Sequence, residues 1–285
     1  MSQQPLSCFE VFLYNLTGPL PVQAVRSKAL NGLFYTEMGR RFPSWVDRMH
    51  ASGQKPLPFS ISLMVDNGLV QGFRIRTLEA DAAEKVAEIW GNLAAARAEI
   101  RLGSAQMRVT HFQPESGMAK TYAQLIDECR DARRLRLRFI TPTRLKMFGH
   151  DTLLPIPYAL WRGYAARWEA YAPEFPPPPE FARWVEFQVA PIEAQIQTCF
   201  AYEEGDVEWT GFVGEVAFQA HTDSRDIPAA RMPDYLRMWQ ALAQMAEYSG
   251  TGEKTARGMG FTQFVQSRRK SFEPDPFQLE KAWNN

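Results

Sequence analysis

The sequence predicts an α+β fold made of two copies of one β-α-β-β-α-β unit in tandem. Three observations carry that expectation. Strand-like and helix-like hydrophobic periods follow one another in that order twice. An Asn-Gly turn joins two strand-like runs in the first copy, and a length of 285 residues suits two domains of ordinary size. In Ser7–Asn15, Phe9, Val11 and Leu13 alternate with the opposite face, as in a half-buried strand. From Val22 to Gly39, Val22, Val25, Ala29, Leu33 and Phe34 recur at helical spacing. Phe59–Val65 and Leu69–Leu78 flank Asp66-Asn67-Gly68, whose Asn and Gly tolerate the positive φ of a hairpin turn. Asp81–Ala98, rich in Ala, Glu and Lys, reads as a helix with Asp81 at its N-cap, and Gln106–Phe112 supplies the last strand. This order is the ferredoxin-like (RRM-like) unit.

The second copy has longer connections. Arg134–Thr141 alternates arginine with Leu135, Leu137 and Phe139, and Pro157–Ala172 reads as an aromatic-rich helix. A proline run, Pro176 to Pro179, marks a loop. Phe187–Tyr202 and Glu208–Phe218 read as paired strands across Glu203-Glu204-Gly205-Asp206. Pro233–Tyr248 places Leu236, Trp239, Leu242, Ala243 and Ala246 at helical intervals with Pro at the helix start, and Gly260–Val265 is the final strand. The join falls near Met118–Cys129. The expected organisation is a domain over 1–125, a second over 126–270, and a tail over 271–285.

With 45% hydrophobic and 22% charged residues, the composition excludes a disordered or fibrous chain. No apolar run reaches the roughly 18 residues of a membrane span. Met1-Ser-Gln-Gln-Pro lacks the basic and apolar regions of a signal peptide, so a cytoplasmic protein is expected. Cys8, Cys129 and Cys199 are odd in number and far apart, which fits reduced thiols and neither a disulfide framework nor a zinc site. The 32 basic residues balance the 32 acidic ones, but unevenly along the chain. Arg130, Arg133, Arg134, Arg136, Arg138, Arg144 and Lys146 face the single acid Asp131 across that stretch, a cationic stripe under a neutral total. Arg134, Arg136 and Arg138 are therefore candidates to hold a polyanion; the alternative is the solvated face of an alternating strand. Arg40, Arg41 and Arg48, and Arg268-Arg269-Lys270, form further clusters.

Gly250-Thr251-Gly252-Glu253-Lys254-Thr255-Ala256-Arg257-Gly258-Met259-Gly260 carries four glycines in eleven positions. A nucleotide-binding loop runs strand, loop, helix, so that phosphate meets a helix N-terminus. This loop instead follows a helix C-terminus, where the macrodipole repels phosphate, and it lacks a GK[ST] ending, so ATP binding is not expected. Gly250, Gly252, Gly258 and Gly260 would let an RNA backbone approach, with Lys254, Thr255 and Arg257 as polar contacts. The alternative is a helix cap at Gly250 followed by a tight connection. Trp90, Trp161, Trp168, Trp184, Trp209 and Trp239 fall at core positions of their elements, with room for one or two exposed rings to stack on bases.

Taken in order, several segments resemble a known family, the CRISPR-associated endoribonucleases that cut repeat transcripts into guide RNAs (the sixth Cas family, within the RAMP group). They are Ala29-Leu30-Asn31-Gly32-Leu33-Phe34-Tyr35, Arg48-Met49-His50, Lys55-Pro56, Phe59-Ser60-Ile61-Ser62-Leu63, Phe139-Ile140-Thr141-Pro142-Thr143, Pro155-Ile156-Pro157, Thr210-Gly211-Phe212-Val213-Gly214 and the glycine loop. The resemblance runs from about Ser7 to Val265. It implies two ferredoxin-like domains and metal-independent RNA cleavage without a cofactor. The ribose 2′-OH attacks the adjacent phosphate and leaves a 2′,3′-cyclic phosphate and a 5′-OH. It also implies CRISPR repeat RNA as partner, with other Cas proteins of an interference complex, and no membrane. The family's catalytic positions match Tyr35, His50 and Lys55 here.

That chemistry wants a group titrating near neutrality, and imidazole ordinarily does so near 6.5; His50 is read as general base, with general acid as the alternative. A lysine ammonium or tyrosine hydroxyl can stabilise the charge of the transition state. His50 is placed in a loop, with His111, His150 and His221 as the other histidines and His150 the best substitute. No paired His or Cys at ligand spacing suggests a metal, and no GxSxG suggests a serine nucleophile. The competing readings are a non-catalytic guide-RNA-binding subunit on the same fold, and a small-molecule or protein-interaction module that binds no RNA.

Overall fold

The computed structural model describes residues 5–25, 27–51, 56–204, 207–223 and 227–265. Its elements form a mixed α/β fold with two large antiparallel sheets. In the first half, β1 (Ser7–Asn15), α1 (Ser27–Arg41), α2 (Pro43–His50), β2 (Phe59–Asp66), β3 (Leu69–Thr77), α3 (Ala80–Ala95), β4 (Glu99–Leu102) and β5 (Ala105–Pro114) build a sheet of order β2-β3-β1-β5-β4. A short helix, α4 (Tyr122–Asp127), leads into the second half. There β6 (Arg134–Thr143), β7 (Leu145–Met147), β8 (His150–Thr152), α5 (Pro157–Tyr171), α6 (Phe181–Gln188), β9 (Val189–Glu204), β10 (Val207–Ala220), α7 (Met232–Ser249) and β11 (Thr262–Val265) follow. The second sheet has the order β11-β6-β10-β9, and β7 pairs with β8 in a separate hairpin. No helix among the described residues is long and apolar enough to cross a membrane.

The expected strands and helices are present, with corrections. The turn at Asn67-Gly68 has φ of 48° and 74°, as its sequence requires. The helix expected from Val22 is split into a 3-10 turn over Val22–Ala24 and α1, and Pro43 starts a separate helix, α2. Asp81 is not the N-cap of α3: Glu79 holds that place without a side-chain bond, and Asp81 lies in the first turn beside Lys85. Phe187 lies in the last turn of α6 and does not begin a strand. The β4 strand, α4 and the β7–β8 hairpin are additions, each too short to show a hydrophobic period.

One core gathers Phe9, Val11, Phe34, Ile61, Phe73, Val86 and Trp90 between the first sheet and α1 and α3. The other packs Leu135, Leu137, Phe139, Trp161, Trp168 and Trp239 between the second sheet and α5 and α7. The halves share residues: Ala256 joins the first core, and Leu6 and Leu78 join the second. Between them runs a polar seam. Ser60 donates to the Tyr248 carbonyl at 2.7 Å. The buried Arg76 guanidinium donates to Ser62 at 2.9 Å and lies 3.9 Å from the Phe261 ring centroid. Glu247 accepts from the Phe264 N–H at 3.1 Å, and its burial pushes the carboxyl up to about 7 against the attraction of Arg76 and Lys120. All three cysteines are buried as free thiols, and desolvation raises each of them, so none is a ready nucleophile.

Candidate active site

Tyr35 comes from the second half of α1 and His50 from the last turn of α2, so the histidine expected in a loop is a helical residue. Phe34, Trp45 and Phe59 form the floor that brings these helices together. The Phe34 ring lies tilted against Phe59 with centroids 4.4 Å apart, and Trp45 lies 5.9 Å from Phe59. The aromatic floor turns Tyr35 toward His50: their ring centroids are 4.4 Å apart, while His50 itself is exposed. The imidazole therefore faces solvent at a helix end and is not buried among apolar neighbours. Partial burial pushes the Tyr35 hydroxyl up to about 12, opposed by the nearby charge of Arg257. At neutral pH Tyr35 is thus a hydrogen-bond donor and not a base. Lys55, the third candidate, lies outside the described residues.

Arg257 reaches this place because the glycine-rich loop crosses from α7 onto α1. Asn31 donates to the Ala256 carbonyl at 3.2 Å, one helical turn before Tyr35, and a Cβ at Gly258 would sit 3.9 Å from Leu30. On its other side the loop is tied to the second sheet. Arg167 donates to the Gly252 carbonyl at 2.8 Å, and the Gly260 N–H to the Pro142 carbonyl at 3.0 Å. The candidate site therefore lies where the loop from the second half closes over a helix of the first.

Close crossings of chain account for the loop's glycines. A Cβ on Gly252 would stand 2.1 Å from the Arg144 carbonyl oxygen, and one on Gly260 2.0 Å from that of Thr251. Both residues have positive φ, as do Gly250 and Gly258. The N–H groups of Thr251, Glu253, Arg257 and Gly260 are bonded within the protein, and Thr255 is buried. Of the four glycines expected at an RNA backbone, Gly250 and Gly260 thus direct their N–H groups to the Ala246 and Pro142 carbonyls within the protein. What the loop presents to the surface is half-buried Lys254 and Arg257.

On the arginine strand the structure adds carboxylate partners. Arg134, Arg136 and Arg138 do share the open face of the second sheet, but register places carboxylates among them. Glu193 pairs with Arg134 at 3.1 Å and Arg136 at 2.6 Å. The buried Glu215 pairs with Arg136 at 2.7 Å and Arg138 at 2.8 Å. Most of the expected positive stripe is neutralised from neighbouring strands, which no local charge count reveals. Arg268, Arg269 and Lys270 lie outside the described residues. Of the other histidines, His111 rests beside Phe12 and Gln113, His150 begins β8 at the tip of its hairpin, and His221 follows β10. Among the described residues no three His, Cys, Asp or Glu side chains gather closely enough to hold a metal ion.

Residues 137–262 match the family model of the CRISPR-associated endoribonuclease Cas6. A Mycobacterium tuberculosis protein described as CRISPR-associated endoribonuclease Cas6 is 22% identical over 192 residues. That match takes in 66% of this chain and spans 57% of the length of the curated relative. Among solved structures, a Cas6 product complex from Thermus thermophilus superposes with a TM-score of 0.76 at 20% identity, covering 93% of this chain and all of that one. A second Cas6 product complex gives 0.73 at 24% identity, covering 92% and 99%. At these identities the superpositions speak for the fold.

Proposed function

We propose that the chain is a member of the Cas6 family of CRISPR-associated endoribonucleases, and that it cuts CRISPR repeat transcripts into guide RNAs by transesterification without a metal ion. The observation that carries the proposal is the contact of Tyr35 with solvent-facing His50, 4.4 Å between ring centroids, within reach of the charge of Arg257. In this reading His50 takes the proton of the 2′-OH, and the oxygen attacks the adjacent phosphorus. The bond to the 5′-oxygen breaks and that oxygen takes a proton from water, leaving a 2′,3′-cyclic phosphate and a 5′-OH. Tyr35, held protonated by its partial burial, donates to a non-bridging oxygen of the crowded phosphorane, and Arg257 offsets the added negative charge. Lys55 is a further candidate for that second task, as the resemblance implies.

The two sheets with their helices are read as tandem ferredoxin-like domains, 1–125 and 126–270, in a cytoplasmic protein that pairs with repeat RNA and with other Cas proteins of an interference complex. In each sheet the unit's first and third strands lie side by side at the centre, which supports that reading. RNA would be gripped mainly through phosphates, so affinity should fall as salt rises.

The decisive assay incubates purified protein with labelled repeat RNA in EDTA. Wild type is expected to cut once within the repeat, a 2′-deoxy substitution at the cut nucleotide to block the reaction, and His50→Ala to bind without cutting. Cutting by His50→Ala at the wild-type rate would remove the histidine from the mechanism. Binding without cutting by the wild type would favour the non-catalytic subunit.

A further inference from the structure

Trp209 differs from the other tryptophans read as core residues: Trp90, Trp161, Trp168, Trp184 and Trp239 are buried, and Trp209 is only half-buried. It stands on β10 at a bulge, short of Phe212, where β10 begins to pair with β6. Two cations rest on its ring. Cζ of Arg144 lies 4.5 Å and Nζ of Lys254 4.9 Å from the ring centroid. Both distances are inside the roughly 6 Å over which a tryptophan ring attracts a cation. The charges come from distant parts of the chain that the backbone ties together: the Glu253 N–H donates to the Arg144 carbonyl at 3.0 Å. Arg144 also pairs with Asp151, and Lys146 pairs with Glu253 at 3.2 Å. Lys254 has no carboxylate partner among the described residues, and its φ of 57° is one that lysine rarely adopts. A strained backbone thus holds an uncompensated ammonium over an aromatic ring, one 3-10 turn before Arg257.

We propose that Trp209 is a positioning residue that holds Lys254 and Arg144 as a two-point grip on an RNA backbone, on the same loop whose Arg257 acts on Tyr35. The inference rests on the RNA-cleaving reading above and adds to it a residue without charge of its own. Two cations brought together repel, and a free lysine stem samples many rotamers. The ring's negative face offsets part of the repulsion and restricts the stem, so less order remains to be imposed when the phosphate arrives. An ammonium and a guanidinium held on one ring each offer donors to phosphate oxygens, which suits a phosphodiester backbone.

The test uses the full chain and a repeat RNA 2′-O-methylated throughout, so that binding is read without cutting. Affinity is measured over a range of salt for the wild type, Lys254→Ala, Trp209→Leu, Trp209→Phe and the Lys254→Ala/Trp209→Leu pair. Loss of one phosphate contact should lower the slope of log affinity against log salt by about 0.7–0.9. Lys254→Ala is expected to show that loss. Trp209→Leu, which removes no charge, should show at least half of it, with affinity about three- to fivefold weaker. The pair should be no worse than Lys254→Ala, and Trp209→Phe should restore the slope. Trp209→Met stands in if the leucine variant fails to fold by circular dichroism. An unchanged slope in the leucine or methionine variant, or equal losses with phenylalanine, would overturn the grip while leaving the nuclease reading intact. Absence of binding by the wild type would sink both.

Discussion

Replacing Glu247 by Gln should stabilise the protein at neutral pH and leave it unchanged in acid. Burial between α7 and the first sheet raises this carboxyl from 4.5 to about 7, because desolvation outweighs the attraction of Arg76 and Lys120 and the bond from the Phe264 N–H. Below the lower value both folded and unfolded chains hold the proton, and the residue imposes no penalty. As pH rises between the two values, the unfolded chain releases the proton while the folded chain keeps it, so stability declines; above about 7 the penalty is complete. At about 1.4 kcal/mol for each pH unit between them, it amounts to about 3 kcal/mol. Gln keeps an oxygen for the Phe264 N–H and carries no charge. Urea denaturation of Glu247→Gln and wild type at pH 8 should therefore differ by about 3 kcal/mol in favour of the variant, and the difference should close toward pH 4.5. A variant less stable than wild type at pH 8 would mean that Arg76 depends on an ionised Glu247, and would refute the reasoning.

Further outcomes follow from the site and its supports. Tyr35→Phe removes a donor held protonated beside His50, and single-turnover cleavage should slow by about 10²–10³-fold at unchanged RNA affinity; an unchanged rate would exclude the hydroxyl from the reaction. Gly260→Ala forces a Cβ to within 2.0 Å of the Thr251 carbonyl oxygen at a φ of 71°, and thermal or urea unfolding should register a loss of about 2–5 kcal/mol. Arg136→Ala leaves buried Glu215 with Arg138 as its remaining arginine and should cost about 1–3 kcal/mol of stability, while the salt slope of RNA binding moves less than for Lys254→Ala. Equal slopes would return the arginine strand to the RNA path.

Local chemistry made most elements legible in the sequence. Alternation in Ser7–Asn15 and Arg134–Thr143, the Asn67-Gly68 turn and the apolar spacing of α7 are each set by neighbours within a few residues, and those elements stand close to where they were expected. The β7–β8 hairpin, α4 and α2 are too short to carry a period, and α2 matters because it, and not a loop, delivers His50. The order of segments around Tyr35 and His50 pointed to that pair, but not to the charge of Arg257 acting on Tyr35. That proximity depends on the glycine loop crossing from α7 onto α1, a path fixed by carbonyl oxygens passing where no Cβ can stand.

By itself the sequence determined the alternation of strands and helices, because propensity and hydrophobic period act along the chain. Only the tertiary structure decided which charges survive. Arg134, Arg136 and Arg138 meet Glu193 and Glu215 from neighbouring strands, whereas Lys254 is brought to Trp209 with no carboxylate partner among the described residues. The reason is that Coulomb attraction depends on distance through space, and strand register sets that distance without regard to separation along the chain.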